Sequence, residues 1–396
     1  MIPLGLDELE PLGELTARPW ADTVTGMQVD SRRIEEGDLF VAIGDGRDFI
    51  RHALARGAAA VLVPADPFAA LAAIAGAVRT RSKARVVGIT GSTGKTSTKD
   101  ILLALCAPHR RTIANEGNYN TEIGVPLTIC RIEEDTELCI SELGMRGLGQ
   151  IAWLASFVRP DIGVITNVGP VHLELVETIE NVARAKAELL QSLPAGGVAI
   201  IPDEPLLEPY LDRPDIEIRV VDDTRPIPFR TSYSSAHQLS NTRIALTVTD
   251  VLGVPSPDEA LDVRFSKLRE EERELPGGGV LLNDCYNANP VSMRAALLHL
   301  VERGRGHRLV AVLGEMAELG AAAPDYHREV GALLQELGVE VVIAVGPLAR
   351  AYGGDWAADA GEAAAKLRGL LRPGDVVLVK GSRSVGLEAV AENLTA

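Results

Sequence analysis

Val87-Gly88-Ile89-Thr90-Gly91-Ser92-Thr93-Gly94-Lys95-Thr96-Ser97-Thr98 is the stretch from which the rest of the chain is read. The run Arg85–Ile89 predicts a buried strand, a glycine-rich turn follows, and a helix is expected to open at Lys95. Glycines at such a turn let backbone N–H groups approach a phosphate with no Cβ in the way. The helix start adds unpaired N–H donors and the positive end of a dipole. Lys95 offers a point charge to the outer phosphates, and the Thr96 hydroxyl can ligate Mg²⁺. Gly91, Ser92, Thr93, Gly94, Lys95, Thr96 and Ser97 are therefore the candidate triphosphate-binding residues. The spacing is Gly-x-x-Gly-Lys-Thr, and the outer glycine of the longer Gly-x₄-Gly-Lys pattern falls on Ile89. A plain strand-to-helix turn with a surface lysine is the alternative. Strand, turn, Lys-Thr and helix nevertheless occur in the order that nucleotide binding requires.

The 396 residues are enough for two or three domains, and they carry 39 basic against 55 acidic side chains, a formal net charge of −16. No basic stripe is present, which argues against a nucleic-acid or anionic-membrane partner. The four cysteines (Cys106, Cys130, Cys139, Cys285) form no C-x-x-C pair, so buried free thiols in a reducing compartment are expected rather than a disulfide framework or a zinc site. The acidic segment Met1–Glu10 lacks the basic start of a signal peptide. The most apolar window, Ala53–Val78, is interrupted by Arg56, Pro64, Asp66 and Pro67, too often to span a bilayer. A soluble cytoplasmic protein is expected.

Three regions are expected, 1–84, 85–265 and 266–396. The first reads as short strands (Thr25–Val29, Leu39–Ile43, Ala60–Val63) and an alanine-rich helix, Phe68–Arg81. The second alternates strands (Arg85–Ile89, Leu138–Leu143, Ile162–Thr166, Gly197–Ile201, Glu217–Val221) with helices (Lys95–Ala107, Leu148–Phe157, Ile179–Leu193). Such alternation predicts an α/β fold on a mostly parallel sheet. Arg243–Thr249 reads as a strand, and Lys267–Glu274 with Pro276-Gly277-Gly278-Gly279 as a charged linker. The third region alternates again, with strands Val280–Asn283, Arg308–Leu313, Val339–Val345 and Val376–Val379. Helices fall near Ser292–Arg303, Tyr326–Leu337, Ala357–Leu371 and Ser384–Leu394, the pattern of a second doubly wound domain.

Further clusters sit at strand C-terminal ends, where open α/β sheets bind ligands. Ser141-Glu142-Leu143-Gly144 ends a strand on a carboxylate able to hold a divalent metal. Thr166–Glu174 places His172 near the same sheet edge. Asn283-Asp284-Cys285-Tyr286-Asn287-Ala288-Asn289-Pro290 offers amides that suit a base or an amide substrate, although N-capping accounts for one asparagine. Gly381-Ser382-Arg383 suits an anion or an ordinary turn. Lys186, amid Arg184, Ala185 and Glu188, reads as a surface lysine.

Taken together, these strings resemble the Mur ligase family of ATP-dependent amide-forming enzymes. The resemblance runs from Val29-Asp30-Ser31-Arg32 and Gly37–Ala42, through Thr90–Thr96, Gly117–Gly124, Glu142–Gly147 and Ile165–Glu174. It continues through Tyr286–Met293, Leu313-Gly314-Glu315-Met316-Ala317-Glu318-Leu319-Gly320 and Lys380–Arg383. It implies a three-domain architecture: a small N-terminal α/β domain, a central P-loop parallel-sheet ATPase domain and a C-terminal Rossmann-like α/β domain. The Tyr-Asn-Ala-Asn-Pro and Gly-Glu-Met-x-Glu-Leu-Gly strings imply addition of D-alanyl-D-alanine to UDP-N-acetylmuramoyl-tripeptide. A monomer is expected, although the sequence does not settle the oligomeric state. The ATP machinery alone would also suit a folylpolyglutamate synthase-like ligase or a P-loop ATPase. By resemblance, Ser31 and Arg32 lie near the uridine diphosphate, Lys95 meets the β/γ-phosphates, and Thr96 meets one Mg²⁺. Glu142 and His172 match ligands of a second Mg²⁺, and Lys186 matches a lysine carbamylated by CO₂. Asn167, Arg269, Asn287 and Asn289 match nucleotide-holding positions. The chain departs from the family at Asn120-Thr121, Gly149-Gln150-Ile151 and Asp45–Phe49, and is short beyond Asp203.

Overall fold

In the computed structural model, residues 1–394 are described apart from Asn118, Glu270 and Pro276. Asn118 of the Gly117–Gly124 string and Pro276 of the proline-glycine run thus lie outside the described residues.

The first sheet contains β1 (Gly13–Ala17), β2 (Gly26–Gln28), β3 (Asp38–Val41) and β4 (Ala60–Pro64) in the order β1-β4-β3-β2, with β1 antiparallel to β4. Helix α1 (Pro67–Arg81) follows, capped by the Asp66 carboxylate, which accepts from the amides of Phe68 and Ala69. Leu71 and Ile74 of α1 share a core with Val125, Ile129, Ile151 and Phe157, so the first region is packed onto the central one. Arg79 fastens the same joint, donating to the Val158 carbonyl at 3.0 Å and to Asp161 Oδ2 at 3.1 Å.

The central sheet is built from β5 (Arg85–Thr90), β6 (Thr112–Ala114), β7 (Leu138–Glu142), β8 (Ile162–Ile165), β9 (Val198–Ile201) and β10 (Glu217–Val220). Its order is β10-β9-β8-β5-β7-β6, parallel throughout. The inner strands β8 and β9 are apolar and buried over their whole length because both faces are covered, whereas the outer strand β10 carries Glu217 and Arg219. Helices α2 (Lys95–Cys106) and α5 (Ala236–Leu252) cover one face; α3 (Gln150–Val158) and α4 (Ile179–Gln191) cover the other. β5 lies in the middle, so the turn after Thr90 opens at the centre of the sheet's C-terminal edge.

Two expectations fail in this region. Arg243–Thr249 is not a strand but part of α5. The β-branched residues Ile244, Thr247, Val248 and Thr249 mimic a strand, yet Ile244, Val248 and Leu252 recur at helical spacing and pack beside α2. Thr242 and Thr247 donate their hydroxyls to carbonyls one turn back, which satisfies them inside a helix. The linker also differs: Glu271–Leu275 forms β11, antiparallel to β12 (Gly279–Asn283). Its charges suit an outer strand that must not pair further.

The third sheet adds β13 (Leu309–Gly314), β14 (Val341–Val345), β15 (Asp355–Ala357) and β16 (Val376–Lys380) in the order β11-β12-β16-β13-β14-β15. Helices α6 (Pro290–Arg303) and α7 (Ala323–Glu336) pack on one face. The four cysteines are free and buried, as expected.

Candidate active site

A cleft of about 950 Å³ lies where the C-terminal edge of the central sheet faces the third sheet, and Lys95, Thr96, Glu142, Asn167, His172, Arg269, Asn287 and Asn289 all line it. The loop after β5 is shaped by contacts to the loop after β8. The Thr93 amide donates to Asn167 Oδ1 at 2.9 Å, and Asn167 Nδ2 donates back to the Thr93 hydroxyl. Ser92 Oγ donates to the Gly169 carbonyl at 2.8 Å. Gly91 sits at φ +151°, where an added Cβ would lie 1.8 Å from Thr166 Oγ1. No side chain fits there, so only glycine brings this backbone against β8. Gly94 starts α2 from the left-handed region, and Lys95 Nζ donates to the Gly91 carbonyl at 2.7 Å, folding the ammonium back over its own loop. The loop, its lysine and a helix N-terminus together form an anion cradle.

Beside the cradle, β7 ends in Glu142, which is fully buried. Its Oε2 accepts from the Thr96 hydroxyl at 2.9 Å and its Oε1 from Asn120 Nδ2 at 2.7 Å. Among the described residues no cation forms an ion pair with this carboxylate. A buried carboxylate without a cation is costly, and carboxylate plus hydroxyl oxygens is the hard donor set that Mg²⁺ takes. The residues therefore fit a divalent cation. Among the described residues no three His, Cys, Asp or Glu side chains cluster as a complete protein cage.

His172 precedes a short helical turn at φ 53°, and its Nδ1 lies 2.5 Å from Glu318 Oε2 of the third sheet's loop. Burial holds its imidazole below the ordinary range; Glu318 opposes this, while Lys95 and Lys186 add to it. Burial likewise lowers Lys95, with Glu142 opposing and Arg269 adding. A polyanion seated on the cradle would favour the charged form again.

Lys186 corrects its plain sequence reading as a surface residue. It lies on α4, is 1 % exposed, and is held well below the ordinary lysine range by burial and by the charge of Lys95. Arg184 and Glu188 on the same helix look like a solvated face, and only packing of α4 on the sheet reveals that position 186 turns inward.

From the third sheet, the Arg269 guanidinium stacks 4.2 Å from the Tyr286 ring. Lys380 Nζ donates to Asp284 Oδ2 at 2.5 Å and to the Asn287 carbonyl at 3.0 Å, fixing the Asn287 loop. Asn289 caps α6, accepting from the Ser292 amide at 2.9 Å, so the capping alternative accounts for its Oδ1. Ser31 and Arg32 are not brought to this cleft. Ser31 Oγ lies 2.9 Å from His52 Nδ1, and Arg32 chelates Asp30 on the first region's surface. Sequence reasoning assigned no role to Glu318, Asn120 or Arg146, although all three stand in strings that carried the resemblance and all line the cleft.

A cradle for a triphosphate, a buried carboxylate suited to a cation and a second sheet closing over both are the features of an ATP-using ligase, here built on three large sheets. The Mur ligase middle domain matches residues 89–248, and the Mur ligase glutamate ligase domain matches residues 264–383. The UDP-N-acetylmuramoyl-tripeptide–D-alanyl-D-alanine ligase of Synechocystis sp. is 33% identical over 94% of this chain and 92% of that protein. The MurF structure from Acinetobacter baumannii superposes with a TM-score of 0.86 at 25% identity, covering 99% of this chain and 98% of its own. The MurF ligase from Thermotoga maritima in complex with ADP superposes with a TM-score of 0.80 at 27% identity, covering 94% and 97%. The chain belongs to the Mur ligase family. Within that family it is similar, over nearly its whole length, to the ligases that bear the D-alanyl-D-alanine name.

Proposed function

We propose that this chain joins D-alanyl-D-alanine to UDP-N-acetylmuramoyl-tripeptide with cleavage of ATP to ADP and phosphate, in peptidoglycan precursor synthesis. The observation that carries this is the meeting of Lys95, Glu142 and His172 from the central sheet with Arg269, Asn287 and Asn289 from the third in one cleft. Residues 1–84 hold the UDP end of the acceptor through Ser31 and Arg32, 85–265 hold ATP, and 266–396 bring the dipeptide amine. The enzyme acts as a monomer in the cytoplasm, where ATP and UDP-linked precursors are found; among the described residues no helix is long and apolar enough to cross a membrane.

A carboxylate is a poor electrophile. Transfer of the γ-phosphoryl group of ATP to the tripeptide carboxylate gives an acyl phosphate. The dipeptide amine attacks its carbonyl carbon, loses a proton, and phosphate departs with the C–O bonding pair. Phosphoryl transfer depends on positioning and charge neutralisation. Lys95 and the N-terminus of α2 hold the β/γ-phosphates, and Asn167 keeps the loop in shape. Thr96 and Glu142 would hold one Mg²⁺, and Glu142 with His172 a second; the ions supply neutralisation of phosphate charge. Lys186, if carbamylated by CO₂, becomes an anion next to Lys95 and relieves the repulsion between the two buried amines. The third sheet covers the acyl phosphate and keeps water from it.

The test is coupled ADP release with UDP-N-acetylmuramoyl-tripeptide, with and without D-alanyl-D-alanine. Release that requires both is expected; release independent of the dipeptide overturns the proposal.

A further inference from the structure

His172 and Glu318 come from loops on two different sheets, and both non-glycine backbones lie in the left-handed region, at φ 53° and 63°. Such conformations are held only where surrounding structure imposes them. Here the two loops are packed backbone to backbone. The Glu174 amide donates to the Glu318 carbonyl at 3.2 Å, and a Cβ on Gly320 would stand 3.2 Å from Glu174 Cα. From behind, the Met316 amide donates to His327 Nε2 at 3.1 Å and the Ala317 amide to Ser382 Oγ at 2.8 Å. The carboxylate is thus aimed: Oε2 meets His172 Nδ1 at 2.5 Å, and Oε1 lies 3.9 Å from Arg146 Nε.

An ionised carboxylate only accepts hydrogen bonds. The ring proton of a neutral His172 is then on Nδ1, and its lone pair is on Nε2. Carboxylates that accept from one imidazole nitrogen orient the other as a metal ligand and raise its basicity. We infer that Glu318 is a positioning residue: it is delivered by the third sheet and fixes the ring and tautomer of His172, so that Nε2 is presented for the second Mg²⁺ only while that sheet is seated on the central one. The inference rests on the proposed reading of His172 as a metal ligand. It adds that the metal site is incomplete without the region proposed to bring the amine, so the nucleotide machinery is assembled when that region is in place.

The experiment uses the full chain labelled with ¹⁵N-histidine, read by long-range ¹H–¹⁵N correlation, with His172→Gln identifying the His172 signal among the seven histidines. The wild type is expected to show Nδ1 protonated and Nε2 bare. Glu318→Ala moves the ring toward the Nε2–H form, whereas Glu318→Gln, whose amide oxygen still accepts, keeps the wild-type pattern. In turnover, Glu318→Ala raises the Mg²⁺ concentration for half-maximal ADP release by about 10- to 100-fold, Glu318→Gln restores most of it, and KM for ATP moves far less. An Nε2–H ring in the wild type overturns the inference even if no variant folds. So does a Glu318→Ala chain with an unchanged tautomer or an unchanged Mg²⁺ requirement. The resonance needs no substrate, so a wild type lacking dipeptide-dependent ADP release overturns the proposed function while the His172–Glu318 contact is still judged.

Discussion

Thr96 donates its hydroxyl to Glu142 Oε2 at 2.9 Å across the ends of the adjacent strands β5 and β7. The pair joins the first turn of α2 to a fully buried carboxylate, and under the proposed function these are the oxygens that would hold Mg²⁺. Glu142→Gln keeps the shape and removes the charge. ADP release should fall about 100- to 1000-fold, the scale of losing one well-placed electrostatic partner. The melting temperature should not fall, because a buried carboxylate with no paired cation has been removed. Titration of activity against Mg²⁺, beside a thermal melt, reads both; near-normal turnover at ordinary Mg²⁺ would remove Glu142 from the site.

Lys95→Ala takes away the ammonium folded over Gly91. The fold is expected to persist, since a desolvated cation contributes little to it, while dipeptide-dependent phosphate release drops about a thousandfold or more. Circular dichroism and a phosphate assay decide it, and near-normal release counts against the assignment.

Lys186 gives a pH prediction. Burial depresses the proton affinity of its amine in the folded chain. Between the depressed folded value and the unfolded value of about 10.4, the unfolded chain binds more protons at this site than the folded one, so stability rises with pH across that window and is flat on either side of it. The lysine therefore costs stability at neutral pH, by about 1.4 kcal/mol for each tenfold loss of proton affinity. Lys186→Met should melt higher than the wild type at pH 7 in CO₂-free buffer, and the advantage should shrink as the pH approaches 10. The same variant should be nearly inactive. A lower melting temperature at pH 7 would contradict the sign.

Gly91→Ala places a Cβ on Thr166 Oγ1, 1.8 Å away. Overpacking of this kind costs about 1–3 kcal/mol, and the loop must move off the phosphate path. Denaturant melts should show the loss, and adding Thr166→Ala should recover part of the stability without restoring ATP turnover. Full recovery of turnover would mean that loop position is unimportant.

Five strands of the central sheet were legible because parallel strands covered on both faces read as largely apolar runs; β6 (Thr112–Ala114), an outer strand of three residues, was not read, being too short to show a run. The phosphate loop was legible because its chemistry depends on residue types at fixed spacing. α5 was not, since β-branched residues serve helix and strand alike once threonine hydroxyls bond backwards. β11 was hidden for a related reason: an outer strand carries charge, and charge reads as linker. Lys186 needed tertiary packing, because a lysine between Arg184 and Glu188 looks solvated in one dimension. Glu318 was visible as a letter within a string, but its reach to His172 depends on two left-handed residues that nothing in a list of amino acids announces.

Burial also pushes the Cys106 thiol to about 11 and those of Cys130, Cys139 and Cys285 to about 12. Thiolate, the form that reacts with alkylating dyes, is therefore scarce at neutral pH at every one of these positions. The wild-type chain is accordingly a near-silent background for maleimide chemistry. A pair of cysteines engineered on the outer surfaces of the central and third sheets could carry fluorophores without first stripping the native sulfur, and the distance between those sheets could be followed during turnover.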